Sequence, residues 1–147
     1  MNPNLSRLWV DHTQVSDAGV VHFQDCKNLT ELNLAGTKVS GVGLAHFKDC
    51  NKLKILYLDY TQLDDAGLAA FKGMPLKVLT IDQTGITDLT FLQDKPLEEI
   101  RLTPKNINWG LDTLRAMKSL KLIGLGYGQV WPAAEFWERY DKGEFKE

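Results

Sequence analysis

Apolar residues return along this chain at fixed intervals. Leu5, Leu29, Leu53, Leu76 and Leu97 fall in one register, 24, 24, 23 and 21 residues apart. Leu8, Leu32, Leu56, Leu79 and Ile100 form a second column, and Val10, Leu34, Leu58, Ile81 and Leu102 follow two residues later. Further along each unit stand Val15, Val39, Leu63 and Ile86, then Phe23, Phe47, Phe71 and Leu92. A sixth copy is recognisable in Leu120, Ile123 and Leu125. A period of this length identifies stacked supersecondary units, each unable to bury its apolar face alone.

Within a unit, Leu-x-Leu alternates with period two and predicts a short strand buried on one face. A polar column of Thr13, Thr37, Thr61 and Thr84 follows. It predicts a turn whose inward backbone groups are satisfied by a hydroxyl that both donates and accepts. Next come Ser16-Asp17-Ala18-Gly19-Val20 and Asp64-Asp65-Ala66-Gly67-Leu68. These predict helix starts, with Asp17 and Asp65 as caps. Val20 and Phe23, or Leu44 and Phe47, lie three apart on the inward helix face. The fourth unit is shorter around Asp88-Leu89, and Pro96 follows, so a 3-10 turn is expected there. Six parallel strands would then line a concave sheet, with helices on the convex back.

The unit L-x-x-L-x-L-x-x-T-x-V-[ST]-D-x-G-[LV]-x-x-F resembles the leucine-rich repeat over about residues 4 to 126. Its second half is similar to the helical repeats of the ribonuclease-inhibitor and cysteine-containing types, with Thr where those have Asn or Cys. The resemblance implies an α/β fold: a right-handed solenoid with a parallel concave sheet of about six strands and a C-terminal helical cap. The division expected is 1–126 for the repeat array and 127–147 for the cap and polar tail. Pro132 would stand at the first position of the cap helix, followed by Phe136, Trp137 and Tyr140. The segment Pro96–Ile107 and the closing Trp131–Trp137 also resemble the ends of repeat arrays in planctomycete-type bacterial proteins, some of which follow a serine/threonine kinase domain. That resemblance implies a kinase-associated regulatory or substrate-recruiting tail. The first unit begins at full stride close to Met1, so the expectation is a piece of a longer protein, or a bare first coil covered by a second copy as a homodimer.

Composition narrows the partner. The 147 residues carry 17 Lys and Arg against 19 Asp and Glu, a net charge of −2, with apolar residues at 44%. That balance argues against a general nucleic-acid binder, which needs a basic excess or stripe. No run is long and apolar enough to insert into a membrane, and Met1–Arg7 lack the basic-then-apolar plan of a signal peptide. Two cysteines make no disulfide framework and favour a reducing, cytoplasmic compartment.

Candidate chemistry is sparse. His22 and Cys26, repeated as His46 and Cys50, share helix faces and make a zinc site conceivable. Small apolar core filling is the expected role of both cysteines, with Met74 in the third copy. Gly124-x-Gly126-x-Gly128 lacks the Lys-Ser/Thr of a phosphate loop and is expected to be a turn. No catalytic residue, metal site or cofactor is expected.

Function is therefore sought on the concave face. One outward column is Trp9, Asn33, Tyr57, Thr80, Arg101 and Gly124; the next is Asp11, Ala35, Asp59, Asp82 and Thr103. Beside it run His12, Gly36, Tyr60 and Gln83, and on the other flank Arg7, Glu31, Ile55, Val78 and Glu99. Trp, Tyr and Arg are enriched at protein–protein hot spots, although aromatic and β-branched residues also suit any sheet surface. The candidate partner-binding set is Trp9, Asp11, His12, Asn33, Tyr57, Asp59, Tyr60, Thr80, Asp82 and Arg101. Asp59 and Asp82, one coil apart, would accept a Lys or Arg from a protein partner.

Overall fold

The computed structural model describes residues 2–145. Strands β1 (Arg7–Trp9), β2 (Glu31–Asn33), β3 (Ile55–Tyr57), β4 (Val78–Thr80), β5 (Glu99–Arg101) and β6 (Leu122–Leu125) pair in parallel in sequence order. The register is that of the repeat: Leu8, Leu32, Leu56, Leu79, Ile100 and Ile123 stand side by side. Each is buried and points inward, so both flanking residues of a three-residue strand face the concave side.

The back of the solenoid is built from single turns. Helices α1 (Asp17–Val20), α2 (Gly41–Leu44) and α3 (Asp65–Leu68) each run directly into a 3-10 turn: Val21–Phe23, Ala45–Phe47 and Ala69–Phe71. The shortened fourth coil has only the 3-10 turn Thr90–Leu92, as its length requires; the fifth has Pro104–Asn106 and then α4 (Leu111–Ala116). Val20, Leu44, Phe47, Leu68, Phe71 and Leu92 reach from this side into the apolar column between the two layers. Phe23 is only half-buried, because among the described residues the first coil has a neighbour on one side alone.

The threonine column does what the hydroxyl chemistry predicts. Thr13, Thr37, Thr61 and Thr84 donate to the carbonyls of Val10, Leu34, Leu58 and Ile81 at 2.6, 2.6, 2.6 and 2.7 Å. Three of them also accept from the amide two residues on, at 3.4 to 3.5 Å.

Asp17 and Asp65 act differently from expectation. Neither caps its own helix. The Asp17 carboxylate accepts from the amides of Ser40 and Gly43 and from the Ser40 hydroxyl, at 2.7, 3.1 and 2.7 Å. Asp65 takes the amides of Thr87 and Asp88 and the Thr87 hydroxyl at 2.8, 3.1 and 2.7 Å. Each carboxylate thus ties one coil to the next, and in the third coil the preceding residue, Asp64, caps the helix by accepting from the Gly67 amide at 2.9 Å. Burial opposes ionisation of both, but the donated hydrogen bonds outweigh it and hold the two carboxyls below their ordinary range. The second coil has Gly41 at this position. There the backbones themselves touch: a Cβ on Gly41 would lie 2.7 Å from the Gly67 Cα.

The C-terminal segment departs from expectation at its start. Gln129–Pro132 form a seventh strand, β7, antiparallel to β6, with Leu122 opposite Pro132 and Leu125 opposite Gln129. Pro132 therefore ends a strand, and α5 (Ala133–Asp141) begins one residue later. A proline is tolerated because β7 is the edge of the sheet, where no donor is required on its outer side. From α5, Phe136 is fully buried and stacks on Phe145 at 4.9 Å, with Trp137 edge-on at 5.1 Å.

Cys26 and Cys50 lie in the core, stacked one coil apart, and the Cys50 thiol donates to the Cys26 carbonyl. Burial pushes the Cys50 thiol up to about 11.

Candidate functional site

Strand register places Trp9, Asn33, Tyr57, Thr80, Arg101 and Gly124 side by side across the concave sheet. The next column follows the strands into their turns, where the His12 amide donates to Ala35, Gly36 to Asp59 and Tyr60 to Asp82. In this turn the chain passes through the left-handed region in each of the first four coils. The φ angles are +53° at His12, +64° at Gly36, +55° at Tyr60 and +52° at Gln83. That conformation swings the side chains at 12, 60 and 83 up onto one rim of the concave face. At Gly36 a Cβ would meet the His12 imidazole at 2.6 Å, so the glycine makes room for that ring.

Of the candidate residues, Trp9, Asp11, His12, Asn33, Tyr57, Asp59, Thr80 and Arg101 line one concavity of about 320 Å³. Tyr60 and Asp82 line a separate hollow toward β7. Asp59 and Asp82 are buried and already engaged. One Asp59 oxygen accepts from the Thr80 hydroxyl, and the other accepts from the Asp82 amide at 2.8 Å. Asp82 accepts from the Thr103 hydroxyl at 2.6 Å. Burial raises the Asp59 carboxyl above its ordinary range, and the nearby negative charge of Asp82 adds to this; the Thr80 and Asp82 hydrogen bonds only partly offset it. These two carboxylates are thus members of a hydrogen-bonded ladder, where the sequence reading had them free for a partner. Arg101 is held against Glu99 at 3.0 Å.

One contributor was missed. Tyr127, in the turn between β6 and β7, lies over the concave face. Its ring stacks on Tyr60, and its hydroxyl lies 3.3 Å from the His12 imidazole. It forms a wall of the concavity together with Gly126, and Glu31 closes the opposite side. The available signal was Gly126-Tyr127-Gly128: a large aromatic ring between two glycines, placed where the repeat period breaks. The exposed aromatics of the concave side are Trp9 and Tyr127, each 61% exposed, and Tyr60 at 47%.

A curved sheet of in-register strands, one per repeat, backed by short helical turns, is the fold of a leucine-rich-repeat solenoid. Residues 3–63 match the family model described as leucine rich repeat. Among solved structures, an internalin (inlF) from Listeria monocytogenes is similar in fold, with a TM-score of 0.68 at 22% identity, over 82% of this chain and 34% of that one. Internalin C2 from the same bacterium aligns with a TM-score of 0.41 at 17% identity, over 82% of this chain and 80% of that one. The chain spans about a third of the length of the inlF internalin. No curated protein sequence matches it.

Proposed function

We propose that the chain is a non-catalytic protein-binding module that engages its partner through the concave face. The observation that carries this reading is the gathering of Trp9, Tyr57 and Tyr127 around one concavity, with Tyr60 stacked behind Tyr127. Large rings with few rotatable bonds, held on a rigid sheet, bury much area and lose little freedom on binding. The carboxylates of the face support a binding role over an acid–base one, since Asp59 and Asp82 are occupied by Thr80, Thr103 and a backbone amide.

The test is site-specific photo-crosslinking in extract of the native cells. A benzophenone side chain replaces Asn33 on the concave face or, as control, Lys48 on the convex back. A discrete adduct is expected from position 33, and Tyr57→Ala or Arg101→Ala should weaken it while circular dichroism stays unchanged. Adducts only from position 48, or none from position 33, would overturn the reading.

A further inference from the structure

The concavity is electrically one-sided. Asp11, Glu31 and Asp59 present three carboxylates to it, and Arg101 the single guanidinium, which is neutralised by Glu99. Glu31 has its own cation, Arg7, at 3.5 Å, but the Arg7 side chain is largely exposed at the rim. Two hydroxyls in the walls register the resulting field. Tyr127 is raised first by burial and then by Asp59, with Asp11 and Asp82 adding to it. Tyr57 is raised by burial and then by Glu31 and Glu99, against the smaller opposing effect of Arg101. The large uncharged side chains of the walls are the rings of Trp9, Tyr57 and Tyr127, with small or polar residues between them.

Aromatic faces beside an excess of carboxylates are complementary to a cation, and a planar guanidinium satisfies both by stacking on the rings and forking to an acid. Because Asp59 is engaged by Thr80 and Asp82, the acids left to receive it are Asp11 and, in exchange for its contact with the exposed Arg7, Glu31. We propose that this concavity receives an arginine side chain presented by the protein partner. The inference rests on the reading of the concave face as a partner surface and specifies its partner: a protein with a protruding arginine, not an acidic or purely apolar one. The volume, about 320 Å³, leaves room for the side chain and part of its flanking backbone.

The probe is the tripeptide acetyl-Ala-Arg-Ala-amide, titrated against the whole chain while the Trp9 indole N–H is followed by NMR. A Trp9→Phe variant assigns that signal. A saturating shift is expected, with a Kd on the order of millimolar for so small a ligand. The isosteric citrulline peptide, which lacks the charge, should give no saturable shift. Asp11→Asn should weaken the arginine peptide roughly threefold to tenfold; Asp11 is half-exposed, and the change keeps its size. A tripeptide with glutamate should not bind. No shift with arginine, equal binding of citrulline, or binding of the glutamate peptide would each overturn the proposal. Position-33 adducts persisting beside such a result would leave the partner surface standing and remove only its arginine specificity. Loss of those adducts would instead overturn the surface itself.

Discussion

The Tyr127 ring lies flat on the Tyr60 ring, with centroids 5.7 Å apart and planes within 4°. The first belongs to the hairpin after the sixth strand and the second to the turn after the third. The Tyr127 hydroxyl continues to His12 in the first coil. In a solenoid each coil ordinarily contacts only its neighbours. Here one side chain links coils one, three and six across the concave face, and the same ring forms a wall of the proposed binding concavity.

That link is measurable. A stacked aromatic pair contributes about 0.5–1.5 kcal/mol beyond its burial. Tyr127→Ala and Tyr60→Ala should each lower stability, and a double-mutant cycle should return a coupling of roughly that size. Hydrogen exchange at residues 126–128 should accelerate in Tyr127→Ala while β2 to β4 stay protected. Strict additivity of the two variants would show that the rings do not support each other.

Gly36→Ala should disturb the same contact from the other side. The left-handed backbone there disfavours any Cβ by about 1 kcal/mol, and the added methyl would meet the His12 ring at 2.6 Å. His12 must then turn away from Tyr127. Chemical shifts of both rings are expected to move, together with a Tm lower by several degrees.

Asp17 and Asp65 set an acid dependence. Their folded-state pKa values lie below the ordinary range because the Ser40, Gly43, Thr87 and Asp88 donors outweigh burial. A carboxyl depressed on folding contributes stability that is present above its unfolded pKa, about 4, and lost as pH falls through the folded value. Denaturant melts from neutral pH down to about 2 should therefore show a steep acid limb. The double variant Asp17→Asn, Asp65→Asn should flatten it and be less stable at neutral pH.

Asp59 carries the opposite sign. Its carboxyl is raised by burial, so its contribution is fully present below the unfolded pKa and is lost as pH rises through the folded one. Asp59→Asn holds the group neutral at every pH and keeps an acceptor for the Asp82 amide. At neutral pH that variant should be as stable as the wild type or more so, by up to about 1 kcal/mol. The difference should vanish in acid. A variant less stable at neutral pH would contradict the balance assigned to burial.

Lys95 is buried with its ammonium donating to the carbonyls of Phe71, Lys72 and Met74 at 3.2, 2.6 and 2.8 Å. It closes the end of the third coil's 3-10 turn from the coil below. Lys95→Met leaves those carbonyls without this donor and should cost about 2–3 kcal/mol in chemical denaturation. Lys48→Met, on the exposed back, should change stability by less than about 0.5 kcal/mol.

The repeat, its strands, the threonine turns and the concave columns were all legible in the amino-acid sequence. Leu8 to Ile123 in their column and Thr13 to Thr84 in theirs are local periodicities, and stacking preserves them as register. Three features were decided only by the tertiary structure. Asp17 and Asp65 bind the following coil because the distance between coils, which no single unit encodes, selects among the donors near them. Asp59 and Asp82 become buried because the hydroxyls of Thr80 and Thr103, one coil further on, close over them. Tyr127 comes to rest on Tyr60 because β7 reverses direction on β6 and turns the hairpin back over the sheet. Periodicity reports what each coil repeats; these contacts depend on how far, and in which direction, one coil lies from another.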